Sequence, residues 1–185
     1  MTEEVRLRRY AAADARSVHE AARESTAEIF PWMQWCHPDF SLADAEAWVN
    51  QRESLFREGR EYSFAIIGTD DRYLGTCDIN QINDAARFGN VGYWIRTSAS
   101  GRGVVPRAIR QLARFAFEST DLIRLEIVCA AGNVRSQRAA EKAGAAREGV
   151  LKDRLFLHGR PHDAVMYAIV RSAWRAESAD ERGSR

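Results

Sequence analysis

Gly92-Tyr93-Trp94-Ile95-Arg96-Thr97-Ser98-Ala99-Ser100-Gly101-Arg102-Gly103-Val104-Val105-Pro106 passes from a strand pattern through a turn into a helix pattern, and its reading decides the fold. Glycine lets a backbone approach a ligand closely, and a helix start presents N–H groups with partial positive charge. Glycines just ahead of a helix therefore make a place for an anion such as a diphosphate. The stretch has neither the G-x-x-x-x-G-K-[ST] of a P-loop nor the G-x-G-x-x-G dinucleotide fingerprint. Taken alone, G-x-G before a helix fits a plain turn as well as a phosphate site. Pro106 is compatible with the first helical turn, where N–H groups have no intrahelical partner.

Working downstream, Val105, Ala108, Ile109, Leu112, Phe115 and Ala116 form one stripe, which predicts a helix over 104–118 that packs on a sheet. The β-branched run at 125–129 predicts an interior strand, and 133–143 a helix closed by Gly144. Runs at 150–157 and 163–170 flank His158-Gly159-Arg160-Pro161 and predict a final hairpin. Upstream, strand patterns at 62–69, 73–83 and 90–95 are punctuated by Asp70-Asp71, Asn83-Asp84 and Gly89-Asn90, which predicts an antiparallel meander. Residues 5–9 alternate as a first strand. Ala15, Val18 and Ala22 set a helix over 12–26, and the Pro- and Trp-rich 30–38 reads as a loop. Ser41-Leu42-Ala43-Asp44 offers an S-x-x-D cap to a helix that ends near Glu58, before Gly59. The order predicts one α+β domain over 1–173 with a mixed sheet, and a polar tail over 174–185 that frays.

Composition narrows the partners. The 185 residues are 45% hydrophobic and 29% charged, with 27 basic residues scattered among 26 acidic ones for a net charge of +1. No field of one sign exists to draw in nucleic acid or an anionic membrane, so neither is expected as a partner. Cys36, Cys77 and Cys129 form no C-x-x-C pair, no apolar run reaches membrane-spanning length, and MTEEVRLRRY lacks the order of a signal peptide. A reducing, cytoplasmic setting is expected. Of the four histidines only His158 and His162 stand four apart, and Gly159 and Pro161 between them keep that stretch from being a helix, so no helical zinc pair and no metal is expected.

About thirty residues past the glycines come Asn133-Val134-Arg135-Ser136, then Glu141-Lys142-Ala143-Gly144, then Arg147-Glu148-Gly149-Val150-Leu151. With Gly101-Arg102-Gly103 and the strand before it, this order of segments resembles the GNAT superfamily of N-acyltransferases, in particular its branch that acetylates the N-termini of ribosomal proteins. The resemblance runs from Arg6 to about Val170. It implies a GNAT fold, a mixed and mostly antiparallel seven-stranded sheet with four helices, in which the fourth and fifth strands splay apart. It also implies acetyl-CoA, or another acyl-CoA, as donor. A protein N-terminal α-amine or a small-molecule amine would attack the thioester directly, and homodimers through sheet edges or the C-terminal hairpin are common in the fold. Trp94, Ile95 and Arg96 would then flank pantetheine, and Gly101, Arg102, Gly103, Val104 and Val105 would hold pyrophosphate. Asn133 would hydrogen-bond to pantetheine, and Ser136 would protonate the leaving thiolate. The family loop usually reads [QR]-x-x-G-x-[GA]. Here Ser100 stands first, which removes a side-chain phosphate contact, and Val105 stands last, which narrows the approach to the ligand. A glutamate thought to act as base in some members is replaced here by Leu155 or a neighbour.

Several residues keep two readings. Glu148, Asp78, His37, His158 and His162 could take the amine proton or be hydrogen-bonded structural groups. Trp32 and Trp35 could cover an acceptor cleft or close the core under the first helices, and Asp78 is a candidate for acceptor binding. Lys142 and Arg135 could meet the 3′-phosphate of coenzyme A or form a solvated basic face. The alternative from a different class is a non-catalytic acyl-CoA-binding sensor or interaction module that kept the fold.

Overall fold

The computed structural model of the protein describes residues 4–174; of the tail expected to fray over 174–185, Trp174 is helical with its ring 6.1 Å from that of Phe117, and the rest lies outside the described residues. Seven strands, β1 Val5–Arg9, β2 Tyr62–Gly68, β3 Tyr73–Asn83, β4 Phe88–Ile95, β5 Arg124–Ala130, β6 Ala146–Leu157 and β7 Arg160–Val170, form one sheet in the order β1-β2-β3-β4-β5-β7-β6. Every neighbouring pair is antiparallel except β4 and β5. Among the described residues the α-helices bounded at both ends are α1 Ala15–Ile29, α2 Leu42–Arg57, α3 Val104–Ser119 and α4 Val134–Lys142, and residues 171–174 are helical as well.

Side-chain alternation divides the interior in two. Phe64, Ile66, Cys77, Ile79, Val91, Leu125 and Ile127 meet the stripe of α3 and the small residues of α4 on one face. On the other, Ala65, Ile67, Tyr73 and Trp94 meet Ala15, Val18, Ala22, Ala45 and Val49 of α1 and α2. Because both faces are covered, β2 is buried nearly throughout and reads as a continuous apolar run rather than an alternating one. The α3 stripe is buried as its spacing requires, with Phe115 half-buried against Phe56, Tyr62 and Phe64 at ring distances of 5.0–5.7 Å.

The parallel pair is short. Phe88, Gly89 and Asn90 pair with Arg124, Leu125 and Glu126, and beyond that register β4 and β5 part while β5 stays paired with β7 to Ala130. The backbone of residues 91–95 thus has β3 on one side and no strand on the other.

Three boundaries differ from the sequence reading. A 3-10 turn, Ala12–Asp14, precedes α1, which then runs on to Ile29 and stops ahead of Pro31. The final hairpin closes with two residues, His158 and Gly159, at φ 49° and 75°, the left-handed pair that matches strand twist. Both of its strands are therefore longer than expected. The early part of β6 escaped notice because that edge strand is exposed on both faces and bulged at two places, which erases the period of two.

Candidate functional site

The turn after β4 is fastened to α1. Arg96 Nε and Nη2 donate to Glu24 at 2.9 and 2.5 Å, Ser98 N–H to Glu24 at 2.8 Å, and Thr97 N–H to Ser25 Oγ at 2.9 Å. These bonds hold the Glu24 carboxyl down at about 2, with the Arg96 bond the largest cause. They also commit the Arg96 guanidinium to Glu24 and the Tyr73 carbonyl, which leaves its backbone for a cofactor.

Beyond this anchor, Gly101 and Gly103 both take positive φ, 77° and 74°. A Cβ at Gly101 would meet nothing within 4 Å, so the chain is bare there, and Gly103 caps α3 without a side chain. The N–H groups of the first helical turn are left for an external acceptor, and the cradle fits an anion of phosphate type. Val104 and Val105 point into the core at 1% and 8% exposure. Val105 therefore does not narrow the loop, contrary to the sequence reading: its side chain lies under the loop and packs inward. Arg102 is exposed. Lys142 is exposed in the last turn of α4, where its carbonyl accepts from Arg110.

Where β4 and β5 part, a small hydroxyl and thiol cluster fills the α3 side. Tyr93 O–H donates to the Ser136 carbonyl at 3.0 Å and lies 2.9 Å from Ser136 Oγ, which is 3.1 Å from Cys129 Sγ. Burial pushes the Tyr93 phenol and the Cys129 thiol up, so both stay protonated at neutral pH. Asn133 presents Ser136 by capping α4, its Oδ1 accepting from Ser136 N–H at 3.1 Å. That bond uses one lone pair of the carboxamide oxygen and leaves the Asn133 Nδ2 hydrogens to face a ligand.

On the α1–α2 side, the gap opens into a cleft of about 810 Å³ that Ser136 and Tyr93 also line. Trp32, Trp35 and Trp48 form its apolar wall, and Asp78, Glu61 and Arg52 its polar end. Trp35 stacks edge-on with Trp94 and Phe40, both at 5.3 Å, and Trp32 lies over Gly132. The loop carrying both tryptophans is held down by His158 Nε2 against the Phe30 carbonyl at 2.9 Å and by Gln34 donating to the Phe156 carbonyl at 3.3 Å.

Asp78 faces this cleft from β3. Asn80 Nδ2 donates to its Oδ1 at 2.5 Å, and Asn90 donates onward to Asn80 at 2.9 Å. Across on β4 stands Gly92, where a Cβ would lie 2.8 Å from Asp78 Oδ1; the missing side chain makes room for the carboxylate. Burial pushes the Asp78 carboxyl up to about 7, with the charge of Glu61 next in effect, against the pull of Asn80, Arg52 and the Gly92 backbone. Arg52 is itself buried, stacked 4.4 Å over Trp48 and paired with Glu61.

Glu148 is corrected as a base. It sits on β6, does not line the cleft, and is paired through both carboxylate oxygens with Arg124, one contact being 2.8 Å. That pairing lowers its pKa, the wrong direction for a base. His37, His158 and His162 do not line the cleft either. The sequence reading missed roles for Tyr93, Arg52, Glu61 and Trp48. The i, i+4 spacing of Trp48 and Arg52 and the i, i+2 spacing of Asp78 and Asn80 were the available signals. Among the described residues, no group of three His, Cys, Asp or Glu is placed to hold a metal ion, and no helix is long and apolar enough to cross a membrane.

The acetyltransferase (GNAT) domain family matches residues 4–146. YdaF of Bacillus subtilis, whose name assigns it provisionally to the ribosomal N-acetyltransferases, is 32% identical over 108 residues, 58% of this chain and 59% of the relative. That match thus spans about six-tenths of the relative's length. The ribosomal-protein-serine acetyltransferase of Escherichia coli is 29% identical over 145 residues, 75% of this chain and 79% of the relative. The solved structure of RimL, a ribosomal L7/L12 α-N-protein acetyltransferase in complex with coenzyme A, shares the fold. Its TM-score is 0.83 at 22% identity, covering 92% of this chain and 95% of that one.

Proposed function

The chain belongs to the acetyltransferase (GNAT) domain family, and from that premise we propose that it moves an acetyl group from acetyl-coenzyme A to a primary amine by direct attack. The observation that carries this reading is the unpaired backbone of residues 91–95, flanked by the bare glycine turn at one end and by Ser136 within the gap. An extended pantetheine arm has amides spaced to pair with such an edge, and the N–H groups from Gly101 to Val105 suit its diphosphate. Acetyl-CoA supplies the activated acyl carbon. This chain's part is to fix that carbon at the seam and to exclude water with Trp32 and Trp35.

As the C–S bond breaks, the Ser136 hydroxyl is placed to donate to the thiolate, whose low basicity (thiol pKa about 8.5) makes modest assistance enough. With Tyr93 O–H donating to the Ser136 carbonyl and Cys129 S–H able to donate to Ser136 Oγ, the serine proton is free to turn toward sulfur. The acceptors that fit an aromatic cleft with a carboxylate end are an amine of a protein, with the names of the E. coli and B. subtilis relatives pointing to ribosomal substrates and the N-terminal α-amine our choice within that class, or a compact aromatic amine. Three buried, unpaired thiols support a reducing, cytoplasmic setting. The exposed apolar residues Val150, Leu151 and Phe156 on edge strand β6 favour pairing with a second copy.

The test is coenzyme A release with acetyl-CoA and a panel of tripeptide amides beginning with Ala, Ser, Thr or Met, plus benzylamine and spermidine, with mass spectrometry of the products. Acetylated amine and amine-dependent thiol release are expected. Thiol release no faster with any amine than without would instead make the chain an acyl-CoA-binding module.

A further inference from the structure

We propose that Asp78 is the general base of the site, taking a proton from the acceptor ammonium on the α1–α2 side of the seam while Ser136 serves the sulfur on the α3 side. The inference rests on the acetyl-transfer reading above and adds the group that reading lacks. Three placements carry it. Asp78 lines the same cleft as Ser136, so one amine can stand between a carboxylate and the thioester. The facing position on β4 is Gly92, so no side chain covers the carboxylate from that strand. Its Oδ1 is held by Asn80, which Asn90 holds in turn, and this chain of carboxamides fixes the carboxylate at the cleft.

The proton balance requires such a group. An ammonium carries three N–H bonds and the product amide one, so two protons leave nitrogen. The first must leave before attack, to free the lone pair that bonds to the acyl carbon; Asp78 accepts it and passes it to water. The second leaves as the C–S bond breaks, and its equivalent ends on the coenzyme A sulfur through Ser136. An α-ammonium has a pKa of about 7.7–8.0, so an ordinary carboxylate near 3.9 would accept its proton about four units uphill. Asp78, at about 7, accepts it roughly one unit uphill, and it is still largely ionised at pH 7.5.

The charged and titratable groups around it are few. Glu61 ahead of β2 and Arg52 on α2 act on it with opposite sign, and Tyr10 and Cys77 lie close enough to be raised by its charge. Glu126 and Arg154 stand farther out, in the groove that adjoins at Asn90. Glu61 raises Asp78 by repulsion, so neutralising Glu61 must move the titration down.

The experiment measures kcat/KM for the best acceptor of the panel against pH in the wild type, Asp78→Asn and Glu61→Gln, with acetyl-CoA affinity by calorimetry. In the wild type the rate rises through an acidic limb near 7. Asp78→Asn is expected to keep its acetyl-CoA Kd within about twofold and to lose about 10²-fold or more in kcat/KM at neutral pH. Its residual rate should follow only the free-amine fraction, to the amine pKa near 8. Glu61→Gln, which leaves the proton acceptor in place, should stay active with its limb moved down by up to about one pH unit. Wild-type activity and limb in Asp78→Asn overturn the assignment. So does an inactive Asp78→Asn beside a Glu61→Gln limb that has not moved, since Asp78 would then be structural. A wild type that binds acetyl-CoA and acetylates no amine fails the transfer reading as well, so the two failures are told apart.

Discussion

The Tyr93 side chain acts on the proposed reaction through another residue. Its phenol holds the first turn of α4 by donating to the Ser136 carbonyl, and that turn carries the hydroxyl proposed to serve the sulfur. Ser136→Ala is expected to lower kcat by up to about 10²-fold, with acetyl-CoA affinity kept. Tyr93→Phe removes a second donor from a carbonyl that the helix ladder also serves, which costs about 0.5–1.5 kcal/mol of stability, and should lower kcat less than Ser136→Ala does. If Tyr93 acts through Ser136, the double variant is no slower than Ser136→Ala alone; additive losses in kcat would refute that. Glu24 gives a second residue-scale test, read in stability against pH. Its folded pKa of about 2 lies below the ordinary 4.5, so folding binds fewer protons than unfolding does at this group. Its contribution is therefore full above about pH 4.5 and is lost as pH falls toward 2. Urea midpoints of the wild type and Glu24→Gln should differ most at pH 5–7 and converge near pH 2; a gap that stays constant would sink the explanation.

At the scale of elements, the end of β4 is held by close contact as well as by hydrogen bonds. Gly75 of β3 pairs with Ile95, and a Cβ at Gly75 would stand 2.1 Å from the Trp94 carbonyl oxygen and 2.7 Å from Ile95 Cα. Backbone cannot swing away as a side chain can, so Gly75→Ala must shift the strand whose free edge is read as the pantetheine track. A cost of about 1–3 kcal/mol is expected, with weaker acetyl-CoA binding. Gly149→Ala, whose Cβ meets nothing within 4 Å, is the control and should stay within about 0.5 kcal/mol. Equal effects on melting temperature and on Kd would refute the close-approach account. Gly75 also marks the limit of the sequence. Elements announced by local chemistry were legible: the Ser41–Asp44 capping box of α2, the apolar stripe of α3, and Asn133 and Gly144 bracketing α4. The glycine turn was legible for the same reason, whereas Ser136 was reached only through the family resemblance. Gly75 was not, because its constraint comes from a strand a hairpin away. The surroundings of Asp78 were not either, since Arg52, Glu61 and Gly92 reach it from three separate elements.

Across the whole molecule, the two cores divide the work. The α3 side is continuous, from Phe64 and Ile66 through Leu112 and Ala113 to Tyr167, and it fixes the sheet and the glycine turn together. The α1–α2 side is smaller, and its edge opens into the cleft, so its outer aromatics are half-exposed. Stability and acceptor binding should therefore respond to different substitutions. Leu112 is fully buried, and Leu112→Ala should cost about 2–5 kcal/mol through a cavity that cannot collapse. For a chain of this size that lowers Tm by roughly 2–4 °C per kcal/mol, and well below that Tm the kinetic constants should stay near wild type. Trp35 is 38% exposed, and its partners Trp94 and Phe40 remain packed without it. Trp35→Ala forfeits about 0.5–1.5 kcal/mol for each aromatic pair, yet it removes a wall of the acceptor cleft. Its expected signature is a small fall in Tm, an unchanged acetyl-CoA Kd and a raised acceptor KM. If Trp35→Ala instead weakened acetyl-CoA binding while acceptor KM held, the wall would belong to the donor side, and the division of the molecule at the β4–β5 seam would be wrong.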